Sequence, residues 1–424
     1  MAKREFNFGD PSREFDPRLN LLMSREYAQV GEVPMVAGGF GDFYESLHDV
    51  TSSIPPDHPD REGLIAGLTN LGFAGGFKNR EFLSPDMSQY FERMGLVGAS
   101  AARDVMQMKG WDGADVLVVA SSSSNVKVPE FIIDELKKQG IVIDSFQMTS
   151  QACNSAASAV SDLGRHSDFS GHRAIVLGIE SLSGSAVDQS DYVTRHVFGN
   201  AYGALCFVPG VDLVHISGVD TVIEQDRAGV IRAPHAFQVE NKGDIGTPMQ
   251  PPPWYSVVGE IDPGFWHTTS RGNFINLPTA PNLTMDGPLT YQYFSSRVPA
   301  RELAALEQYY AQYYGKNVAG RNLGELGATV AHMPSFLVHS AKCALVERGK
   351  KKRQSESPGS YLDFQIPSSS WLMDRTGLNN SSAATLLVNM TYMAKQGMIL
   401  PGKPFLFEGY GAGSVISANV MMIQ

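Results

Sequence analysis

Three residues of this chain stand where an apolar run gives way to a helix-like run, and their types could do acyl chemistry. Cys153 lies in TSQACNSAAS, His339 follows the apolar FLV and precedes AKCALVE, and Asn380 opens NSSAAT. A cysteine at a helix start gains thiolate character from the helix dipole and the nearby N–H groups. A thiolate can attack a thioester carbonyl. Histidine and asparagine N–H groups can then donate to charge developing on a carbonyl oxygen. GYGAGS (409–414) reads as a tight glycine-rich turn, whose backbone N–H near Ala412 could act beside that of Cys153 as an oxyanion donor. Each feature also has a plain structural reading: a buried cysteine, a core histidine satisfied by a carbonyl, an asparagine N-cap and a turn needing positive φ. Cys206, within a strand-like run, and Cys343, within a helix-like run, read as structural.

The elements that must position these residues are legible as alternating patterns. Residues 85–109 suit a helix with Leu96, Ala99, Ala102 and Met106 on its buried face. VLVVA (116–120) is a continuous apolar run, as in a strand covered on both faces. VPEFIIDELKKQ (128–139) suits a helix, SFQMTS (145–150) a strand and CNSAASAVSDLG (153–164) a small-residue helix. RAIVLGIES (173–181) and YGALCFVPG (202–210) are strands again. Strands alternating with helices predict a parallel or mixed sheet with helices on its faces. The second half follows suit: ATVAHMPSFLVHS (328–340) runs from strand into helix, SSAATLLVNMTYMAKQG (381–397) is a helix, and KPFLFEGYG (403–411) and SVISANVMMI (414–423) are strands.

The two halves repeat. Laid over each other, Asn154, Ser155, Ala156 and Ala157 meet Ser381, Ser382, Ala383 and Ala384. After a short slip, RAIVLGIES falls over PFLFEGYGA, and GALCFVPG over SVISANVM. The chain therefore reads as one duplicated α/β fold. Cys153 overlies Asn380, so a pseudo-twofold arrangement would aim both helix starts at one shared point.

Composition bounds the function. The chain has 424 residues, 43% hydrophobic and 18% charged, which is enough apolar content for a large core and excludes wholesale disorder. A net charge of −10 argues against broad nucleic-acid binding. Three cysteines are too few for a disulfide framework. The start MAKREFNFGD has no apolar run of a secretory signal, and no stretch approaches the roughly 18 apolar residues of a membrane span. The expectation is a cytoplasmic enzyme without a membrane span.

Taken together, these segments resemble the thiolase superfamily, and within it the ketoacyl synthase III-like branch. TSQACNSAASA resembles that branch's nucleophile motif. HSAK (339–342) stands where it has His-Gln-Ala-Asn, NSSAAT (380–385) where it has Asn-Thr-Ser-Ala-Ala-Ser, and GYGAG at its terminal glycine-rich turn. MDGPLTYQYFSSRVP (285–299) resembles its Met-Asn-Gly stretch, and FAGGFKNREF (73–82) an early segment whose arginine, here Arg80, lies near coenzyme A. There are departures. FGNAYGA (198–204) stands for Phe-Gly-Asp-Gly-Ala-Gly-Ala, and Ser340 and Lys342 follow His339.

The resemblance implies two similar α/β halves in a layered αβαβα arrangement, usually as a homodimer. The halves would span 33–215 and 216–424 after an extension of 1–32, with insertions near 220–282 and 347–372. The first insertion is expected to be an ordered cap near the substrate tunnel or a surface decoration. GKKKRQ (349–354) reads as a solvated loop or a docking patch for an acidic carrier protein. The resemblance further implies acyl loading on Cys153 from acyl-coenzyme A or acyl carrier protein, then decarboxylative condensation with a malonyl-type thioester assisted by His339 and Asn380. It implies no cofactor and no metal. The alternatives are transfer of the acyl group to an alcohol or amine, and a non-catalytic partner subunit. The serines of 121–131 are expected near the dimer interface and the tunnel.

Overall fold

The computed structural model describes residues 14–16, 21–79, 88–121, 127–149, 152–182, 191–223, 231–232, 284–285, 287–357, 371–411 and 415–424. Ten strands and six helices carry the argument. The strands are β1 (Glu26–Val30), β2 (Val33–Gly41), β3 (Gly113–Ala120), β4 (Val142–Thr149), β5 (Ala174–Ser181), β6 (Asn200–Phe207), β7 (Leu213–Ile223), β8 (Ala328–Ala331), β9 (Phe405–Gly411) and β10 (Val415–Ile423). The helices are α1 (Ser88–Lys109), α2 (Lys127–Lys138), α3 (Ser155–Arg165), α4 (Gly287–Gln312), α5 (Phe336–Glu356) and α6 (Ala383–Lys395).

The duplication appears in the topology. The first sheet runs β2-β6-β5-β3-β4, and the second runs β7-β10-β9-β8. In the first, β6 is antiparallel to β2 and β5, and β3 is parallel to β5. In the second, β10 is antiparallel to β7 and β9, and β8 is parallel to β9. The halves thus share strand order and direction, and β4 is an addition at one edge of the first.

Alternation along each strand builds five layers. In β3, Val116 and Val118 face the central core while Leu117 and Val119 face α1 and α2. In β9, Phe405 and Phe407 face the centre while Leu406 packs against Ala305, Leu306 and Tyr309 of α4. Between the sheets lie α3 and α6, whose small and apolar residues let them sit covered on all sides; α6 is buried from Ala383 to Ala394. The order is therefore α1/α2, sheet, α3/α6, sheet, α4/α5.

Several expectations are adjusted. The buried face of α1 includes Ala99, Ala102 and Met106 but is centred on Phe91, Met94, Val97 and Val105, with Leu96 only partly covered. Residues 21–30 are not an extension: Leu21–Met23 and β1 both pair with β2, and β1 alternates buried and exposed positions. A charged residue, Glu26, opens the buried phase of β1, paired with Lys395, and hides the period. The basic run 349–354 is not a loop. It continues α5 to Glu356, because Ala, Lys, Arg, Glu and Gln are strong helix formers. Gly349 lies close to α4, where a Cβ would stand 2.5 Å from Leu303 Cδ1 and displace that side chain. The extra bulk in FGNAYGA is absorbed on the outer face, where the buried Tyr202 hydroxyl donates to Ser24 O at 3.0 Å. Most of 220–282, all of 358–370 and residues 122–126 of the serine segment lie outside the described residues.

Candidate active site

Cys153 lies in a single 3-10 turn, Ala152–Asn154, that runs directly into α3. Asn154 fixes this turn to the second half: its side-chain N–H2 donates to Ser158 Oγ at 2.9 Å and to Ser417 Oγ of β10 at 3.0 Å. Strand β9 passes just as close. A Cβ on Gly409 would stand 2.6 Å from both Ala157 Cβ and Asn154 Oδ1, so glycine lets the strand lie against the helix start.

Asn380 sits on the equivalent junction before α6. Its N–H donates to Val197 O at 2.9 Å, and its carbonyl accepts from Gly199 N at 3.1 Å. Its side-chain Oδ1 accepts from Ser382 N at 2.9 Å and from Thr385 Oγ1 at 3.3 Å. The amide is thereby oriented with its N–H2 end turned from the helix. Among the described residues no hydrogen bond engages that end. Ser382 is one of two non-glycine residues described with positive φ, at φ 45° and ψ −117°. Such a conformation costs of order 1–3 kcal/mol and is held by its surroundings. Its side chain hydrogen-bonds the Cys153 thiol. Cys153, Ser382 and Asn380 thus form one connected unit where the two halves meet.

Glu180, at the end of β5, completes that unit. Its Oε1 accepts from Ala383 N at 3.3 Å, at the start of α6, and its Oε2 accepts from Ser121 Oγ at 3.3 Å. A carboxylate at a helix N-terminus is favourably placed. Its charge also acts on Cys153. Burial pushes the thiol up to about 12, with the Glu180 charge adding to the rise and the Ser382 hydrogen bond opposing it. This corrects the expectation of thiolate character: desolvation outweighs the helix start, so the resting nucleophile keeps its proton.

His339 lies in the first turn of α5, buried, behind an N-cap formed by Ser335 Oγ accepting from Val338 N at 3.3 Å. Its ring packs 6.0 Å from Trp371, which is held by a hydrogen bond from Nε1 to Gly72 O at 2.9 Å. Its neighbour Val338 packs with Phe294, Tyr410 and Ile416, tying the turn to both strands that flank residues 412–414. Cys343, one turn on, brings Sγ to 3.7 Å from His339 Nε2.

A buried ion cluster lies under the same turn. Lys342 Nζ is 3.0 Å from Glu302 Oε2 of α4 and 3.2 Å from Glu408 Oε2 of β9. Burial opposes the lysine charge, but the two carboxyls outweigh it and Lys342 stays cationic. Burial, reinforced by Glu302, drives the Glu408 carboxyl well above its ordinary range. A proton held on Glu408 spares the cluster a further buried negative charge. His332 is pushed down to about 3 by burial and is neutral, its ring 5.3 Å from that of Tyr410.

The structure therefore joins Cys153 and Asn380 through Ser382 and places His339 at the third strand-to-helix junction. Arg80 and Ala412 lie outside the described residues. Cys206 is buried away from the junctions, donating to Val105 O at 3.2 Å, with burial driving its thiol up. Cys343, read as structural, touches His339. Sequence reasoning passed over Ser382, Glu180, Glu302 and Glu408; the one signal was a carboxylate ending each apolar run, GIES and LFEGYG. Among the described residues no group of three or more His, Cys, Asp or Glu could hold a metal.

Two duplicated halves in five layers, with Cys153 and His339 following strands of parallel pairs and Asn380 at a single bridge to Phe198 before α6, define a thiolase-like fold of the kind shared by ketoacyl synthase III and type III polyketide synthases. No family profile matches the chain. It is 21% identical over 356 residues to a beta-ketoacyl-[acyl-carrier-protein] synthase III of Streptomyces lividans, covering 82% of this chain and 84% of that protein. Its fold matches that of 3-oxoacyl-(acyl carrier protein) synthase III from Pseudomonas aeruginosa PAO1 with a TM-score of 0.58 and 15% identity, over 94% of this chain and 98% of the other. It matches the priming beta-ketosynthase of the R1128 polyketide pathway with a TM-score of 0.57 and 19% identity, over 94% and 97%.

Proposed function

We propose that the protein is a ketoacyl synthase III-like condensing enzyme of fatty-acid initiation or polyketide and other specialised metabolism. The observation that carries this reading is the joined unit of the Cys153 thiol, Ser382 and the oriented Asn380 amide, at helix starts contributed by both halves. In the first step Cys153 Sγ attacks the carbonyl carbon of an acyl thioester. The S–C bond forms, the carrier thiol departs, and the cysteine proton leaves with it, His339 assisting. In the second step a malonyl-type thioester loses carbon dioxide. His339 and Asn380 N–H groups receive the charge that appears on its thioester oxygen. The carbanion attacks the acyl carbonyl and the Cys153 sulfur leaves.

The substrates are acyl-coenzyme A or acyl carrier protein thioesters. In this reading Arg80 lies near coenzyme A, and the Cys153 and Ala412 N–H groups form the oxyanion hole for the acyl carbonyl. Carrier docking is proposed along α5, where Lys351 and Lys352 are exposed. The proposed assembly is a cytoplasmic homodimer. It is supported by the edge strand β4, which leaves Val142 and Phe146 exposed. Among the described residues no helix is long and apolar enough to cross a membrane.

Intact-protein mass spectrometry after incubation with a panel of acyl thioesters tests the first step. The wild type should gain one acyl mass. Cys153→Ala should gain none, while Cys206→Ala and Cys343→Ala should still load. A full adduct on Cys153→Ala would overturn the assignment.

A further inference from the structure

The turn of α5 that carries His339 also carries a second thiol, and the two side chains meet. His339 and Cys343 are four residues apart, which puts them on one helix face. The separation of 3.7 Å between Sγ and Nε2 is a hydrogen-bond contact for sulfur. The backbone beneath them has little room to move. Ser335 caps the helix start, and Lys342, between the two residues, is tied to α4 and β9 through Glu302 and Glu408. Trp371 lies on the ring at 6.0 Å.

A neutral imidazole carries one proton on one of two nitrogens, and the neighbour of each nitrogen decides which. The Cys343 sulfur at Nε2 can donate its S–H to a bare Nε2 or serve as a weak acceptor. As an acceptor it can bias the proton toward Nε2 without competing strongly with a carbonyl oxygen for that N–H. A carboxylate there would hold the donor too tightly, and an alkyl group would leave the tautomer to the other nitrogen.

We infer that Cys343 is a positioning residue for His339, keeping the imidazole as the Nε2–H tautomer aligned along α5 until the malonyl thioester oxygen takes over the donor. The inference rests on the condensing-enzyme reading above. Cys343 forms no bond to substrate and is not acylated.

The test compares Cys343→Ser, which keeps a polar acceptor, with Cys343→Val, which fills the space without one. Three quantities are read on the full-length protein: acyl loading of Cys153, carbon dioxide release from malonyl thioester, and the His339 tautomer from nitrogen-15 histidine spectra assigned with His339→Gln. Cys343→Ser and Cys343→Val should both reach full acyl loading of Cys153 at the end point, which shows that the fold is intact. Cys343→Val should release carbon dioxide about ten- to a hundredfold more slowly, the order expected for a misplaced group. Its His339 should lose the Nε2–H signature. Cys343→Ser should keep that signature and most of the rate. Wild-type rate and spectrum in Cys343→Val would overturn the inference. Should the wild type release no carbon dioxide, the condensing reading fails, and the tautomer spectra alone still decide whether Cys343 sets His339.

Discussion

Glu408→Gln probes the buried ion cluster under His339 through its effect on stability against pH. Lys342, Glu302 and Glu408 are all but excluded from solvent, at 1%, 3% and 0% side-chain exposure. With both carboxyls ionised the cluster would hold a net buried negative charge; one proton on Glu408 removes it. Burial, then the Glu302 charge, holds that proton well above the usual carboxylate range. The folded protein thus keeps a proton that the unfolded chain releases near its ordinary value of 4.5. The stability from Glu408 is whole below that value and falls as pH rises toward the folded one, by about 1.4 kcal/mol per pH unit for one proton. Glutamine resembles the protonated carboxyl, with an N–H for Glu302 and an oxygen for Lys342, and does not titrate. The variant should therefore gain on the wild type as pH rises above the unfolded chain's value, for as long as the folded carboxyl keeps its proton. Urea unfolding followed by tryptophan fluorescence between about pH 5 and 8 measures the difference. A pH-independent gap between the two proteins would refute the protonated carboxyl.

Lys342→Met removes the cation and strands two buried carboxyls, so unfolding at neutral pH should show a loss of about 3–5 kcal/mol. Adding Glu302→Leu and Glu408→Leu should recover most of it, and failure to recover would place the cost in packing. Glu180→Gln removes the charge that helps Cys153 keep its proton while leaving an oxygen for Ala383 N–H. Iodoacetamide should then alkylate Cys153 faster at mildly alkaline pH, about tenfold for each pKa unit removed; an unchanged rate would show that Glu180 does not act on the thiol.

What was legible in the sequence follows from locality. The runs VLVVA, RAIVLGIES and FLFEGYG announce buried strands because both of their faces are covered, and the Ala/Ser runs after Cys153 and Asn380 announce helices packed tightly between sheets. The repeat was legible because both halves meet the same packing demand at their central helices. Residues 21–30 were not, since their pairing with β2 is a tertiary contact and a charged residue, Glu26, stands on the buried side of β1. The basic run of α5 has the charge of a solvated loop, but its helix propensity and the helix it extends decide its conformation. The protonated Cys153 thiol was out of reach: burial by residues from both halves cannot be read from the helix start alone. Ser382, Glu180 and Cys343 matter only through what the fold sets beside them.

The central claim, that Cys153 loads an acyl group and that His339 and Asn380 serve a decarboxylation, is tested most directly by carbon dioxide release from a malonyl thioester, with wild type and Asn380→Ala compared after both have been shown to carry an acyl group on Cys153. In the proposed mechanism Asn380 donates to the enolate oxygen and takes no part in loading, so its loss should leave the acyl adduct intact. Carbon dioxide release should fall by a factor of about 10²–10³, as for loss of one oxyanion donor. Release at the wild-type rate from Asn380→Ala would contradict the role of that amide. No release from wild type with any malonyl carrier would contradict condensation itself and leave transfer of the acyl group to an alcohol or amine.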